Sequence, residues 1–199
     1  KKRYSRMNAH LRTLLLLGVG AEIIIFLFSY LFTLEMSDTF RYAARYSGRL
    51  SALVFLWTFY QYAISFSVPL ADNRPLRNWL TLFAVLHLIH FGFLVTNVYL
   101  NEIPLEGVKI AGGALAYLMI VLAPFGLHRL NVKFQLVYFY YVSLVMILTY
   151  VARAKGDFEG AEPSWFHYLA IIVFIGCCIF FGWRIWKVSK VKMGSHGKQ

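Results

Sequence analysis

W-L-T-L-F-A-V-L-H-L-I-H-F-G-F-L-V-T-N-V-Y-L, the stretch from Trp79 to Leu100, contains no Asp, Glu, Lys or Arg. A helix needs about 20 mainly apolar residues to cross roughly 30 Å of hydrocarbon. This stretch has that length and no period-two alternation, so it reads as a membrane-spanning helix and not as a barrel strand. Five further runs read the same way: Thr13–Leu34, Leu50–Leu70, Ile110–Leu127, Phe134–Ala152 and Ser164–Trp183. The expected fold is an all-α membrane bundle of six transmembrane helices forming one domain over residues 1–199.

Composition points the same way. Of the 199 residues 59% are hydrophobic and 18% aromatic, only 15% are charged, and the mean hydropathy is +0.60. Soluble domains run at roughly 45–50% apolar, so a water-soluble enzyme is excluded. The net charge of +11 is spread over short segments between uncharged runs, which is not the basic, aromatic-interleaved face of a nucleic-acid binder. The two cysteines, Cys177 and Cys178, are adjacent in an apolar run, which makes no disulfide framework or zinc motif and reads as core packing.

The basic residues set the orientation. Fourteen of the 20 fall before the first span, between spans two and three, between four and five, and after the sixth, whereas six fall in the alternate connections. Positive charge gathers on the cytoplasmic side, so both termini are expected there, in the inner membrane of a bacterium. The first span follows Lys1, Lys2, Arg3, Arg6 and Arg12 but is too long for a signal h-region and has no A-x-A-like site after it, so it reads as a retained helix. Trp57, Trp79, Trp165, Trp183 and Trp186 lie mostly near span ends, as interfacial anchors do. The connections are short, with turn residues at Asp72, Asn73 and Pro75 and at Gly156, Gly160 and Pro163, so chemistry is expected within the bundle or at its rims.

Glu22 is the one acid inside a span, about ten residues and so roughly 15 Å past Arg12. An ionisable group at that depth is a functional candidate, or else a protonated, hydrogen-bonded link between helices. His87 and His90 are three residues apart on one face of the third span, and His87 is at a similar depth, so it and Glu22 are placed to meet. Gln61 and Ser143 also fall near mid-depth, which suggests a buried polar layer. The two imidazoles offer metal ligands or proton carriers, and satisfied packing is the competing reading. His128 and His167 sit at opposite membrane edges, and His10 and His196 lie in the tails. Gly112 with Ala116 and Cys178 with Gly182 have the spacing of small residues at helix contacts. The aromatic run Tyr138–Tyr141 reads as bundle core before cofactor pocket.

S-G-R-L-S-A-L-V-F-L at Ser47–Leu56, R-x-x-L-x-L-F-A-x-L-H at Arg77–His87, G-G-A-L-A-Y-L at Gly112–Leu118 and Q-L-V-Y at Gln135–Tyr138 resemble the ferric reductase-like transmembrane domain over residues 12–155. Within that family the likeness is to the haem-binding membrane subunits of periplasmic methionine sulfoxide reductase systems. The resemblance implies haem b held between helices by histidines, with electrons passing across the membrane. It places a third-helix ligand at His87 or His90. The fifth helix, where the family also places ligands, has no histidine here, and Met146 is the substitute the sequence offers. The expected function is therefore a membrane electron-transfer or redox-partner subunit with donor and acceptor proteins. The alternative is a cofactor-free transporter, proton-coupled channel or structural subunit that handles protons at Glu22 and the third-helix histidines. Whether the chain is an enzyme stays open.

Overall fold

The computed structural model describes residues 2–104, 107–157 and 164–196. Six helices follow in order: α1 (Lys2–Thr33), α2 (Met36–Ile64), α3 (Arg74–Leu100), α4 (Gly107–Gly126), α5 (Val132–Lys155) and α6 (Trp165–His196), with a 3-10 turn at Leu127–Arg129 before α5. No strand occurs among the described residues. Five of the helices, all but α2, are long and apolar enough to cross a membrane.

The expected second span, Leu50–Leu70, differs most from the observed helix. Its helix begins well before Leu50, at Met36, because the arginines that read as a connection are accommodated along it. Arg41 pairs with Asp38 at 2.7 Å, Arg45 lies 5.1 Å from the ring centre of Tyr42 and Arg49 5.2 Å from that of Tyr46. Each partner stands three residues before its arginine, the spacing at which side chains meet on a helix. The helix ends at Ile64, where the Ser65 hydroxyl folds back onto the Gln61 carbonyl at 2.5 Å, and turns lead through Pro69 to Asn73. There the Asn73 side chain accepts from the Leu76 amide at 3.2 Å and caps α3, whose first turn carries Pro75, a residue that this position favours.

The chain divides into two compact units. The first comprises Lys1–Phe55 and Arg77–Phe125, hence α1, most of α2 and α3, and α4. The α1–α2 connection is only Leu34 and Glu35. Leu34 closes α1 in the left-handed region at φ 56°, its amide donating to the Tyr30 carbonyl at 2.8 Å. Across the turn the hydroxyls of Thr33 and Thr39 bond at 2.9 Å. The end of α3 is tied to the start of α2 by Asn101, which donates to the Ser37 carbonyl at 3.1 Å and accepts from Arg41 at 2.5 Å. Deeper in the unit, Phe26, Phe40 and Phe93 form a trio, one from each of α1, α2 and α3, with ring centres 5.4–6.1 Å apart.

The second unit comprises Leu56–Leu76 and Gly126–Gln199. Its core is aromatic: Phe139 stacks between Phe59 at 4.9 Å and Tyr62 at 4.5 Å, and Phe181 meets Phe59 edge-on at 4.6 Å. The Tyr138–Tyr141 run thus belongs to packing, with Tyr138 and Phe139 buried. The Tyr140 hydroxyl donates to the Cys178 carbonyl at 3.1 Å, and Gly182 makes room for it: a β-carbon there would stand 2.7 Å from the hydroxyl. Of the other small pair, Ala116 is buried and Gly112 exposed. His128 and His167 both lie in this unit, and His167 is buried with its Nδ1 accepting from the Ser164 amide at 3.3 Å.

Gln135 is the polar knot of the second unit. Buried on α5, it accepts from the Tyr62 hydroxyl at 3.2 Å and donates to the carbonyls of Leu130 at 2.8 Å and Leu127 at 3.4 Å. Replacing it by Leu leaves those groups without their partner, at a cost of about 1–3 kcal/mol. The expected outcome is a lower thermal midpoint for Gln135→Leu in detergent, while substitution of the exposed Phe134 by Leu leaves the midpoint unchanged.

Candidate functional site

The first unit gathers Glu22, His87 and His90 around one stripe of α2. Helices in hydrocarbon approach closely where side chains are small, and S-G-R-L-S puts Ser47, Gly48 and Ser51 on adjacent positions of the α2 surface, with both serines fully buried. Ser47 stands as far along α2 from its start at Met36 as Glu22 stands from the end of α1 at Thr33. At 1.5 Å per residue both are roughly 16 Å from the tight turn that joins the helices.

Glu22 is 2% exposed. The Ser47 hydroxyl stands beside its carboxyl, yet neither side chain closes a hydrogen bond with a described residue. A buried acid so placed carries the free-energy penalty of its desolvation.

The histidines take the other side of the stripe. His90 is buried with its imidazole against the α2 backbone at Gly48, where a β-carbon would stand 2.9 Å from Cε1 and 3.3 Å from Nε2. His87, half-buried one turn away, shares a 2.8 Å hydrogen bond between its Nδ1 and the Ser51 hydroxyl. Its ring stacks on Tyr117 of α4 at 4.4 Å and lies 5.6 Å from that of His90. Glu22 and His87 therefore do not bond each other; they address serines one helical turn apart on α2. The serines, Gly48 and Tyr117 are site residues that composition and spacing did not single out. Their signal was present as small residues at positions i, i+1 and i+4 of an otherwise bulky helix.

The remaining expected members of the polar layer belong to the second unit. Gln61 is half-buried. Ser143 is buried and donates to the Phe139 carbonyl of its own helix at 2.8 Å, with the Cys178 thiol beside it. Met146 is half-buried on α5.

A haem with two axial histidines needs them on opposite faces of a planar macrocycle. His87 and His90 leave one helix one turn apart, and the unit's other described histidine, His10, lies toward the start of α1, several turns before Glu22. These residues fit one axial position and not two, so the bis-histidine site that the family resemblance implies is not built by this unit.

No family model, curated protein or solved structure matches the chain.

The contact at Gly48 yields a direct test. A methyl group there pushes into His90, and overpacking of this kind costs about 1–3 kcal/mol. Gly48→Ala is expected to lower the thermal midpoint in detergent, and the loss is expected to shrink when His90→Ala is added. Equal losses in the two backgrounds would show that the glycine is not spacing this histidine.

Proposed function

We propose that the chain is an integral protein of a bacterial inner membrane, with six transmembrane helices and both termini cytoplasmic, and that it handles protons through Glu22, His87 and His90 as a proton-coupled transporter or channel. Six crossings require α2 to span. Its 29 residues reach about 43 Å, more than the ~30 Å of hydrocarbon. Arg41 and Arg45 lie in its outer half, where long basic side chains reach toward the interface, and Arg49 stands near mid-helix over the Tyr46 ring. An even number of spans then agrees with the gathering of 14 of 20 basic residues on one side. Exposed apolar side chains on several helices, among them Leu16, Leu53, Phe125, Ile172 and Ile179, are the surface that lipid covers.

The observation that carries the proton reading is Glu22, buried, without a hydrogen bond and beside Ser47, one turn of α2 from the serine that binds His87. The two titratable side chains each stand beside a hydroxyl of one helix, His87 bonded to Ser51 and Glu22 next to Ser47, so that rearrangement at Ser47 is what a proton path between them would require. A hydroxyl both donates and accepts a hydrogen bond, and a neutral imidazole has one nitrogen that donates and one that accepts.

A second reading keeps the electron-transfer or redox-partner subunit of ferric reductase-like type. The α3 histidine pair and the sequence resemblance favour it. In that case His87 or His90 would hold haem b, which would supply one-electron transfer, and electron donor and acceptor proteins would be required.

Proteoliposomes with an imposed pH gradient and an internal pH dye test the first reading. The wild type is expected to dissipate the gradient, and Glu22→Gln, checked for intact assembly by gel filtration, is expected to slow this at least about tenfold, the equivalent of ~1.4 kcal/mol. An assembled Glu22→Gln protein that matches the wild type would remove the proton role. A Soret band in protein expressed with haem supplied, lost in only one of His87→Ala and His90→Ala, would move the assignment to the redox reading.

A further inference from the structure

We infer that the groove beside Glu22 binds a lipophilic organic cation, which takes the place of the proton on that acid. The groove holds about 390 Å³ and is lined by Val19, Glu22 and Phe26 of α1, Phe40 of α2, and Ile89 and Phe93 of α3, with neighbouring aliphatic residues of α1. That volume falls within the roughly 300–1,000 Å³ of small-molecule sites. Three of these residues are the aromatic trio of the unit, Phe26 and Phe93 stacked within 10° of parallel and Phe40 tilted against both.

The lining selects the chemistry. Glu22 is its one ionisable residue, with its carboxyl oxygens covered, so the wall open to the groove is apolar. A cation gains there from the phenyl rings and, once Glu22 turns toward it, from the carboxylate, whereas an anion gains from neither. A metal ion of hard character needs six to eight oxygen ligands or a retained water shell, which one carboxyl in an apolar wall does not supply. A neutral apolar occupant such as an acyl chain fills the space but leaves the acid without a partner. An organic cation with its charge spread over apolar bulk satisfies the carboxylate and the rings together. The carboxyl oxygens are covered, so the acid reaches such an occupant by turning about its side-chain torsions away from Ser47.

The exchange balances as one proton leaving the carboxyl for each cation bound. It therefore rests on the proton-handling reading of Glu22. Among the elements packed in this region, α2 contributes the hydroxyl of Ser47. On α3 the titratable groups are His90, seated against Gly48, and His87, bonded to Ser51.

Tetraphenylphosphonium is the probe, applied to the full-length purified protein by equilibrium dialysis in detergent, with proton release followed by a pH dye in weak buffer. Saturable binding with release of one proton is expected. Affinity is expected to fall at least about tenfold in Glu22→Gln, and about two- to tenfold in Phe93→Leu, which keeps apolar bulk without the ring face. Tetraphenylborate, of like size and opposite charge, should not compete. Equal binding by the wild type and Glu22→Gln, or competition by tetraphenylborate, would make the groove an acyl-chain seat and overturn the inference. If Glu22→Gln fails to assemble, Phe93→Leu and the borate competition decide. Cation binding without gradient dissipation in vesicles would sink the transport function and leave the site; dissipation without binding would do the reverse.

Discussion

The closeness with which α2 admits its neighbours governs the first unit. Hydrocarbon gives helices no hydrophobic reason to associate, so packing and interhelical hydrogen bonds must hold them together. Both need small residues. At Ser47, Gly48 and Ser51 the α2 surface is shallow enough for an imidazole to rest on the backbone at Gly48 and for the Ser51 hydroxyl to reach His87. The same approach takes Glu22 out of contact with solvent and leaves its carboxyl without a hydrogen bond. Tight packing and a buried acid without a hydrogen bond are two results of one arrangement.

The second unit solves the same problem with bulk. Phe59, Tyr62, Phe139 and Phe181 interlock through stacked and edge-on contacts, geometries that add stabilisation beyond the area they bury. Some polar groups there are occupied in structure, Gln135 serving three partners and Tyr140 bonding a carbonyl on α6, while the buried Tyr138 hydroxyl has no hydrogen bond among the described residues.

Helix number and type were legible because uncharged runs of this length have few alternatives. The α2 boundary was not. Arg41, Arg45 and Arg49 read as loop, and only their pairing with Asp38, Tyr42 and Tyr46 on the same helix makes them compatible with a continuous one. A similar local effect carries α6 past the expected end at Trp183, with Lys187 over Trp183 and Lys190 over Trp186. In the site, Glu22 and the histidines stood out because ionisable groups are rare in apolar runs. Ser47 and Ser51 did not, because serine is common and its meaning depends on the neighbour it faces. The layer expected from depth alone placed Gln61 and Ser143 with Glu22. Depth counts residues along each helix and says nothing about which way a side chain turns, and those two residues belong to the other unit.

The two-residue link at Leu34 and Glu35 also bears on mechanics. With the Thr33–Thr39 hydroxyl bond and the left-handed Leu34 closing the turn, there is no slack for α1 to slip along α2 by even one helical turn. Glu22 and Ser47, equidistant from that link, are held level with each other by it. A proton role for Glu22 would therefore call for tilting or twisting of the hairpin about its closed end, like tweezers, in place of a piston stroke.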